Sequence, residues 1–251
     1  MTVISKNYDI EFDKGRHWRA KLGFVLLATE QTVADDVYTL CPKGVGIHFS
    51  RVSNPDEITN ETLLAIAPEL ERAASLMLPD GTLDVVSYAC TSGSLVAGES
   101  RVCELLKAGC PNAKTSCIIM AVSRALKAVG AKKVVVATPY LDEVNTAERD
   151  YMINDGFDVV DIQGLNLEKD SEMVRVAPSF IANFAASIDR ADADAVFISC
   201  GALRSIDIIE QLEERIGKPV ITSNQAMVWD ALRLAGVDDK ITGYGQLFRE
   251  H

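Results

Sequence analysis

The stretch DVVSYACTSGS (84–94) decides the fold of this chain. Its first half is a short apolar run that reaches Cys90, which is typical of a buried β-strand. Its second half is a small, polar Thr-Ser-Gly-Ser sequence, which predicts a turn. The stretch DAVFISCGALRS (194–205) repeats the arrangement 110 residues later, with an Asp, a Val two residues on and Cys200 at the end of the apolar run. The sequence therefore predicts two buried strands that each end in a thiol.

Six further apolar runs surround these two, and helical patterns separate them. The eight predicted strands are 21–29, 45–52, 83–90 and 115–120 in the first half and 132–139, 157–164, 194–200 and 218–224 in the second half. Short strands that alternate with longer helices are typical of an α/β protein with parallel sheets. Several helical patterns end in glycine, as helix C-termini often do.

The two halves of the chain resemble each other beyond the two cysteines. Ala20 and Lys21 lead into one apolar strand, and Ala131 and Lys132 lead into another at an offset of 111. We therefore expect an α/β fold of two pseudosymmetric lobes, each a mostly parallel four-stranded sheet flanked by helices. The lobes are predicted at residues 20–126 and 127–240, with part of the C-terminal chain packed on the first. Because ligands bind beyond the carboxyl ends of parallel strands, the two cysteines should face one cleft.

The composition excludes several classes of function. With 251 residues and a net charge of −11, the chain lacks the basic surface that nucleic-acid binding requires. It has no apolar run of the roughly 18 residues that a membrane span needs. Its N-terminal residues do not resemble a signal peptide, so we expect a cytoplasmic protein. Six cysteines and three histidines show no metal-ligand spacing, and no glycine-rich turn follows the first strand, so neither a metal nor a cofactor is expected.

Two thiols at one cleft support a specific chemistry. A cysteine thiolate is a strong nucleophile and a usable base once a helix N-terminus or a nearby cation lowers its pKa. Two thiols on opposite faces of one carbon can remove a proton on one side and return it on the other. Alternatively, one thiolate adds to an activated double bond while the second moves the proton. The small residues after each cysteine allow backbone N–H groups to bind a carboxylate: Thr91, Ser92, Gly201 and Ala202.

Four other residues near these stretches have simpler interpretations. Ser223 and Asn224 follow the last predicted strand, and Asn224 is either a cleft residue or the N-cap of the next helix. Tyr88 is expected in the core because of its place in an apolar strand. Arg204 is expected to be a solvated surface side chain.

Three segments resemble those of a known family: YACTSGS (88–94), ATPYLDEVN (137–145) and ITSNQAMVWDALRLAG (221–236). They resemble the Asp/Glu racemase superfamily and, within it, the branch of maleate cis-trans isomerases and arylmalonate decarboxylases. The resemblance runs from about residue 20 to the C-terminus. It implies two pseudosymmetric lobes, no cofactor, a small carboxylate or dicarboxylate substrate and a homodimer or higher homo-oligomer. It also implies that Cys90 is the nucleophile, that Cys200 is its acid–base partner and that Tyr140 hydrogen-bonds a substrate carboxylate.

The chain also departs from that branch at two positions. The isomerases have a substrate-binding Asn after the first strand, and the aligned stretch ATEQT (28–32) places Gln31 there as the substrate-binding residue. Near the second substrate-binding Asn of the family, this chain has Asp170. An anionic Asp beside a dicarboxylate would be repulsive. Either the alignment is wrong at this position, or the substrate carries a cation.

Three hypotheses for the function follow. Arylmalonate decarboxylases typically keep only the second cysteine, so the presence of both Cys90 and Cys200 favours a cofactor-independent isomerase, with conversion of maleate to fumarate as the first specific reaction. The segment LATEQT (27–32) also resembles a subgroup linked to ectoine utilisation, so a racemase for amino acids or N-acyl amino acids is the alternative. A non-catalytic protein that binds a small anion would keep the fold without needing both thiols.

Overall fold

Eight parallel strands form two separate four-stranded sheets in the computed structural model, which describes residues 3–251. The first sheet has the order β2-β1-β3-β4, with β1 at Ala20–Leu27, β2 at Val45–Val52, β3 at Val85–Tyr88 and β4 at Lys114–Cys117. The second sheet has the order β6-β5-β7-β8, with β5 at Lys133–Thr138, β6 at Asp158–Gly164, β7 at Ala195–Ile198 and β8 at Val220–Thr222. The predicted fold class is therefore confirmed.

Helices connect the strands and cover both sheets. The structure contains α1 (Val33–Leu40), α2 (Asn60–Ile66), α3 (Leu70–Ser75), α4 (Thr91–Ala97), α5 (Glu99–Gly109), α6 (Ile118–Ala128), α7 (Asp142–Asn154), α8 (Asp170–Met173), α9 (Pro178–Ile188), α10 (Ile209–Ile216), α11 (Ser223–Leu234) and α12 (Gly245–Glu250). The inner strands are buried on both faces, and every residue of β3 and β7 is buried. This burial explains why these strands are nearly continuous apolar runs.

Two local predictions were wrong. The strand expected at 115–120 ends at Cys117, and Ile118 begins α6. A short, fully buried apolar run fits a strand and a buried helix equally well, because neither leaves a polar face to set a period. The turn expected after Cys90 is instead the first turn of α4, which Cys90 caps.

The two sheets are joined by a helix of the second half that packs against the first half. Helix α11 comes from the second half of the chain, yet it contacts α6, β3 and β4 of the first half. At that contact Asp230 accepts hydrogen bonds from Ser116 at 2.6 Å and from Arg124 at 2.9 Å. The expected lobe boundary at residues 126 and 127 falls within the last turn of α6, and the division at that point stays a prediction.

A second contact between the halves lies near the carboxyl ends of the strands. Residues 56–58 run beside residues 168–170, with Ile58 N–H donating to Glu168 O at 2.8 Å and Asp170 N–H donating to Asp56 O at 3.0 Å. We call this pair of segments the clasp. It fixes the position of Asp170 relative to the first sheet. Within residues 3–251, no helix has the length and apolar character that crossing a membrane would require.

Candidate active site

Cys90 and Cys200 line the same narrow cavity. Cys90 lies two residues beyond the end of β3, and Cys200 lies two residues beyond the end of β7. These two strands occupy the same position in their sheets, β3 next to β1 and β7 next to β5. The carboxyl ends of both sheets therefore open towards one place. The other predicted site residues that line the cavity are Thr91, Ser92, Tyr140, Asp170, Gly201 and Ala202.

The surroundings of Cys90 follow from its place as the N-cap of α4. The Gly93 N–H donates to the Cys90 Sγ at 3.2 Å, and the Ser92 hydroxyl lies 3.7 Å from the same sulfur. Gly93 has no room for a side chain, because a Cβ there would lie 2.5 Å from the Tyr88 hydroxyl and 3.0 Å from the Cys90 Sγ. Tyr88 is buried as expected, and its hydroxyl lies beside this thiol without a partner within residues 3–251.

Cys200 is held differently. Its φ of +94° lies in a region that residues with a side chain rarely adopt, which is typical of strained functional positions. The Ala202 N–H donates to its Sγ at 3.4 Å, and its own N–H donates to the Ser223 Oγ at 3.0 Å. The Thr91 hydroxyl donates to the same Ser223 oxygen at 3.0 Å. One serine hydroxyl thus connects the turns that carry the two thiols.

Both thiols have pKa values above the usual value for cysteine. Burial raises the pKa of Cys90 and Cys200, and the negative charge of Asp170 adds to this effect at both sulfurs. The hydrogen bonds from Gly93 and Ala202 oppose it, but they do not offset the desolvation. No basic side chain lines the cavity among the described residues, so no cation there lowers the pKa of either thiol. Both cysteines are therefore protonated thiols at neutral pH.

Tyr140 lies next to Cys200. The residue is 3% exposed, and burial raises the pKa of its hydroxyl well above the usual value, with Cys200, Glu148 and Cys90 contributing. The hydroxyl therefore stays protonated at neutral pH and can donate a hydrogen bond. The Thr138 hydroxyl accepts a hydrogen bond from the Tyr140 N–H at 3.2 Å, which fixes the start of the turn after β5.

Two buried carboxyl groups complete the lining. Asp170 accepts a hydrogen bond from the Thr29 hydroxyl at 2.5 Å, and the Asn54 amide donates to the Thr29 oxygen at 2.8 Å. Glu30 was not among the predicted site residues, yet it lines the cavity while Gln31 is exposed and lies outside it. The signal that identifies Glu30 is its position just beyond the carboxyl end of β1, whereas the family alignment favoured its neighbour.

The remaining residues singled out in the sequence lie outside the lining. Thr222 is the N-cap of α11, so Asn224 does not cap this helix; its amide instead donates to Asp36 at 2.7 Å and to Gly201 O at 2.8 Å. Asn224 therefore supports the Cys200 turn from behind. Arg204 is exposed and donates to Val176 O at 3.1 Å. Within residues 3–251, no group of three or more His, Cys, Asp or Glu side chains is arranged to hold a metal ion.

Comparison with known proteins places this site in a family. The profile of the arylmalonate decarboxylase family matches residues 46–248. The chain belongs to the arylmalonate decarboxylase family. Within this family, the arylmalonate decarboxylase of Bordetella bronchiseptica is 35% identical over 133 residues, which cover 52% of this chain and 55% of that protein.

Maleate isomerases match a larger part of the chain. The enzyme of Nocardia farcinica is 27% identical over 241 residues, covering 92% of this chain and 96% of its own length. A structure of a variant of that isomerase carries a covalently bound succinylcysteine intermediate; it has a TM-score of 0.84 at 24% identity and covers 92% of this chain and 99% of its own. The maleate isomerase Iso of Pseudomonas putida S16 has a TM-score of 0.85 at 24% identity, covering 92% of this chain and 98% of its own. These structures share the fold of two four-stranded parallel sheets.

Proposed function

We propose that this member of the arylmalonate decarboxylase family is a cofactor-independent isomerase that acts on a small carboxylic acid through Cys90 and Cys200. The observation that carries the proposal is the placement of both thiols on one cavity at equivalent strand ends. A lone buried cysteine is usually structural. Two of them at matching positions of a repeated scaffold, facing one cavity, support a reaction that needs a group on either side of the substrate.

Conversion of maleate to fumarate is the first specific reaction, because maleate isomerases match most of this chain. The Cys90 thiolate adds to one alkene carbon, a C–S bond forms, and the π-electron pair moves to the neighbouring carbon, which takes the proton of the Cys200 thiol. The former double bond is now a single bond and rotates. The Cys200 thiolate then removes that proton, the double bond re-forms in the trans geometry and the C–S bond breaks, which regenerates both starting sulfur groups.

The rest of the lining orients the substrate in this proposal. The backbone N–H groups of Thr91 and Ser92 lie at the start of α4, where N–H groups have no acceptor within the helix and can bind a carboxylate. Gly201 and Ala202 line the cavity beside Cys200, where the Gly201 N–H would bind a carboxylate while the Ala202 N–H donates to the Cys200 Sγ. The Tyr140 hydroxyl donates to a carboxylate oxygen. These contacts place the reacting carbon between the two sulfur atoms.

Nuclear magnetic resonance of a maleate reaction mixture tests the proposal directly. We expect fumarate to form, and we expect Cys90→Ser and Cys200→Ser each to reduce turnover at least about 100-fold, because each removes a group that moves a bond or a proton in the reaction. Thermal unfolding of both variants shows whether they are folded. Intact-mass spectrometry should detect a succinyl adduct on Cys200→Ser and not on Cys90→Ser. Full activity of both variants would contradict the two-cysteine mechanism.

The rate should increase with pH. Burial raises the pKa of Cys90 above its usual range, and the nucleophile must be the thiolate. The fraction of reactive enzyme is therefore small at neutral pH and grows as pH rises towards the pKa of Cys90. We expect kcat/KM, measured at constant ionic strength, to increase from pH 6 to pH 9. A profile that is flat over this range would show that the thiolate is formed by another route.

A racemase of amino acids or N-acyl amino acids is the second candidate, favoured by the two buried carboxyl groups of Glu30 and Asp170 in the cavity. In this reaction one cysteine thiolate removes the α-proton, and the thiol of the other donates a proton to the opposite face. Exchange of the α-hydrogen with deuterium oxide measures this reaction, because the abstracted proton is lost to solvent. Exchange that requires both cysteines would favour the racemase over the maleate reaction.

A further inference from the structure

The cavity that holds the two thiols has an acidic wall. Glu30 and Asp170 are 6% and 4% exposed, and no other side chain among the described lining residues is charged. We propose that Glu30 and Asp170 together bind a positively charged group of the substrate, so that the substrate is a small carboxylic acid that also carries an amine. This inference rests on the proposed two-cysteine isomerase, and within it favours the second candidate reaction, on an amino acid, over the conversion of maleate.

One carboxyl oxygen of Glu30 has hydrogen-bond partners within residues 3–251, and the other has none. Its Oε1 accepts hydrogen bonds from the N–H groups of Thr32 and Val33, which fix the carboxyl group at the start of α1. Its Oε2 is buried and has no hydrogen-bond partner within residues 3–251. Buried polar atoms are normally paired, because an unpaired one loses its hydration without compensation. A donor on the substrate would satisfy this oxygen.

Asp170 reaches the same cavity from the other half of the chain. The clasp holds its backbone, and the Thr29 hydroxyl holds its Oδ2. Its charge acts on both reacting groups: after burial, Asp170 is the charged group that most raises the pKa of Cys200, and it raises the pKa of Cys90 as well. Asp170 therefore lies within electrostatic reach of both sulfur atoms and of any ligand between them.

The charged groups around this wall do not neutralise it. Arg51 approaches Glu30, but its guanidinium donates to the backbone oxygens of Leu27 at 2.6 Å and of Glu30 at 3.1 Å rather than to the carboxylate. On the other side, Asp56 adds a further negative charge next to Asp170. Burial raises the pKa of both Glu30 and Asp170, as expected for carboxyl groups without a buried counter-ion. A dianion would meet two carboxyl groups here, whereas an amine would supply the missing positive charge.

Matched pairs of ligands that differ only in the amine test this inference: alanine with propionate, 2-aminobutyrate with butyrate, and aspartate with succinate. The readout is protection of Cys90 against iodoacetamide, followed peptide by peptide by mass spectrometry. Peptide resolution is necessary because the chain has five other cysteines, of which Cys103 is partly exposed and has a lowered pKa. We expect an amino acid to protect Cys90 at a concentration at least about tenfold lower than its amine-free partner.

The variants Glu30→Gln and Asp170→Asn keep the shape and an acceptor oxygen of each side chain while removing the charge. We expect each to reduce the preference for the amine at least about tenfold and to improve protection by succinate and maleate. Glu57→Gln is the matched control, because Glu57 is an exposed acidic residue within the clasp and does not line the cavity. Thermal unfolding shows that each variant is folded.

Three results would overturn the inference: stronger protection of the wild type by amine-free acids, no protection by any amine-bearing acid, or an unchanged preference in both charge-removing variants. The first result combined with unchanged succinate binding in Glu30→Gln would mean that the two carboxyl groups are protonated and donate to a dicarboxylate. The readout is binding and needs no turnover. Loss of the two-cysteine mechanism, measured with Cys90→Ser and Cys200→Ser, is therefore a separate outcome from loss of the amine preference.

Discussion

The turns after β3 and β7 occupy equivalent positions in the two sheets, but they hold their cysteines in different ways. Cys90 adopts an extended conformation and caps a helix, so its sulfur receives the Gly93 N–H. Cys200 has a φ of +94° and is followed by a loop, so its backbone is strained while its sulfur receives the more distant Ala202 N–H. Equivalent places in a repeated scaffold therefore give two chemically different thiols. This difference suits a reaction in which one sulfur forms a bond and the other moves a proton.

The buried acid Glu148, next to the Cys200 turn, has no counterpart at the Cys90 turn within residues 3–251 and gives the first test of the difference between the two turns. Glu148 accepts a hydrogen bond from Ser199 at 2.6 Å, and the equivalent of Ser199 in the first sheet is Ala89. Burial raises the pKa of Glu148 from 4.5 to about 7. The unfolded chain releases this proton near pH 4.5, so the folded state loses stability as pH rises from 4.5 to about 7 and stays at that lower level above it.

Glu148→Gln should remove this pH dependence. The difference between 4.5 and about 7 corresponds to about 3 kcal/mol, which the wild type should lose relative to the variant over that range. Urea denaturation from pH 5 to pH 8.5 measures it. Asp36, whose pKa burial also raises to about 7, contributes equally to both proteins and cancels in the comparison. Parallel stability curves for the two proteins would mean that Glu148 is not the group that titrates.

Added methyl groups at the two turns should have unequal effects. A Cβ at Gly93 would lie 2.5 Å from the Tyr88 hydroxyl and 3.0 Å from the Cys90 Sγ, whereas a Cβ at Gly201 would lie 3.0 Å from the Asn224 Oδ1 and 3.2 Å from Val33. Gly93→Ala displaces the nucleophile itself, and we expect a loss of about 100-fold in kcat. Gly201→Ala displaces a supporting amide, and we expect a smaller loss. Equal losses in steady-state kinetics would show that the turns respond alike.

The serine that connects the turns should have the smallest effect. Ser223→Ala removes the acceptor of the Cys200 N–H and of the Thr91 hydroxyl, both of which are buried. We expect a loss of about 1–2 kcal/mol in the free energy of unfolding, because the Cys200 N–H is left without a partner. Urea denaturation measures the loss. The control is Ser187→Ala, which removes an exposed hydroxyl that bonds only to Phe184 O and should change stability by less than about 0.5 kcal/mol.

The sequence predicts the sheets well and the details of the cavity less well. Apolar runs are visible in the sequence, so all eight strands were predicted, including the edge strands β2 and β6, which are only partly buried. The boundary between β4 and α6 at Ile118 was not predicted, because burial on all sides removes the periodicity that distinguishes a helix from a strand. A similar limit applies at the site, where the sequence pointed to Gln31 although its neighbour Glu30 lines the cavity. Neighbouring residues at a turn point in different directions, and backbone N–H groups that select one carboxyl group leave no trace in residue type.

The raised pKa values of the thiols were also beyond the reach of the sequence. Small residues after each cysteine indicate available N–H groups, and those contacts are present. Desolvation outweighs them, and it depends on how completely two halves of the chain close around a cavity. The clasp between residues 56–58 and 168–170 is one of the contacts that join the two halves near the cavity, and its segments lie far apart in the chain.

Ser223 has a counterpart that shows what fusing two like units permits. It is the first residue of the helix that follows the fourth strand of its sheet, and Ile118 occupies this position in the other sheet. Two identical subunits would have to place the same side chain at both positions. A single chain can keep a hydroxyl at one position, Ser223, and an aliphatic group at the equivalent position, Ile118. A change in one half therefore leaves the other half unchanged.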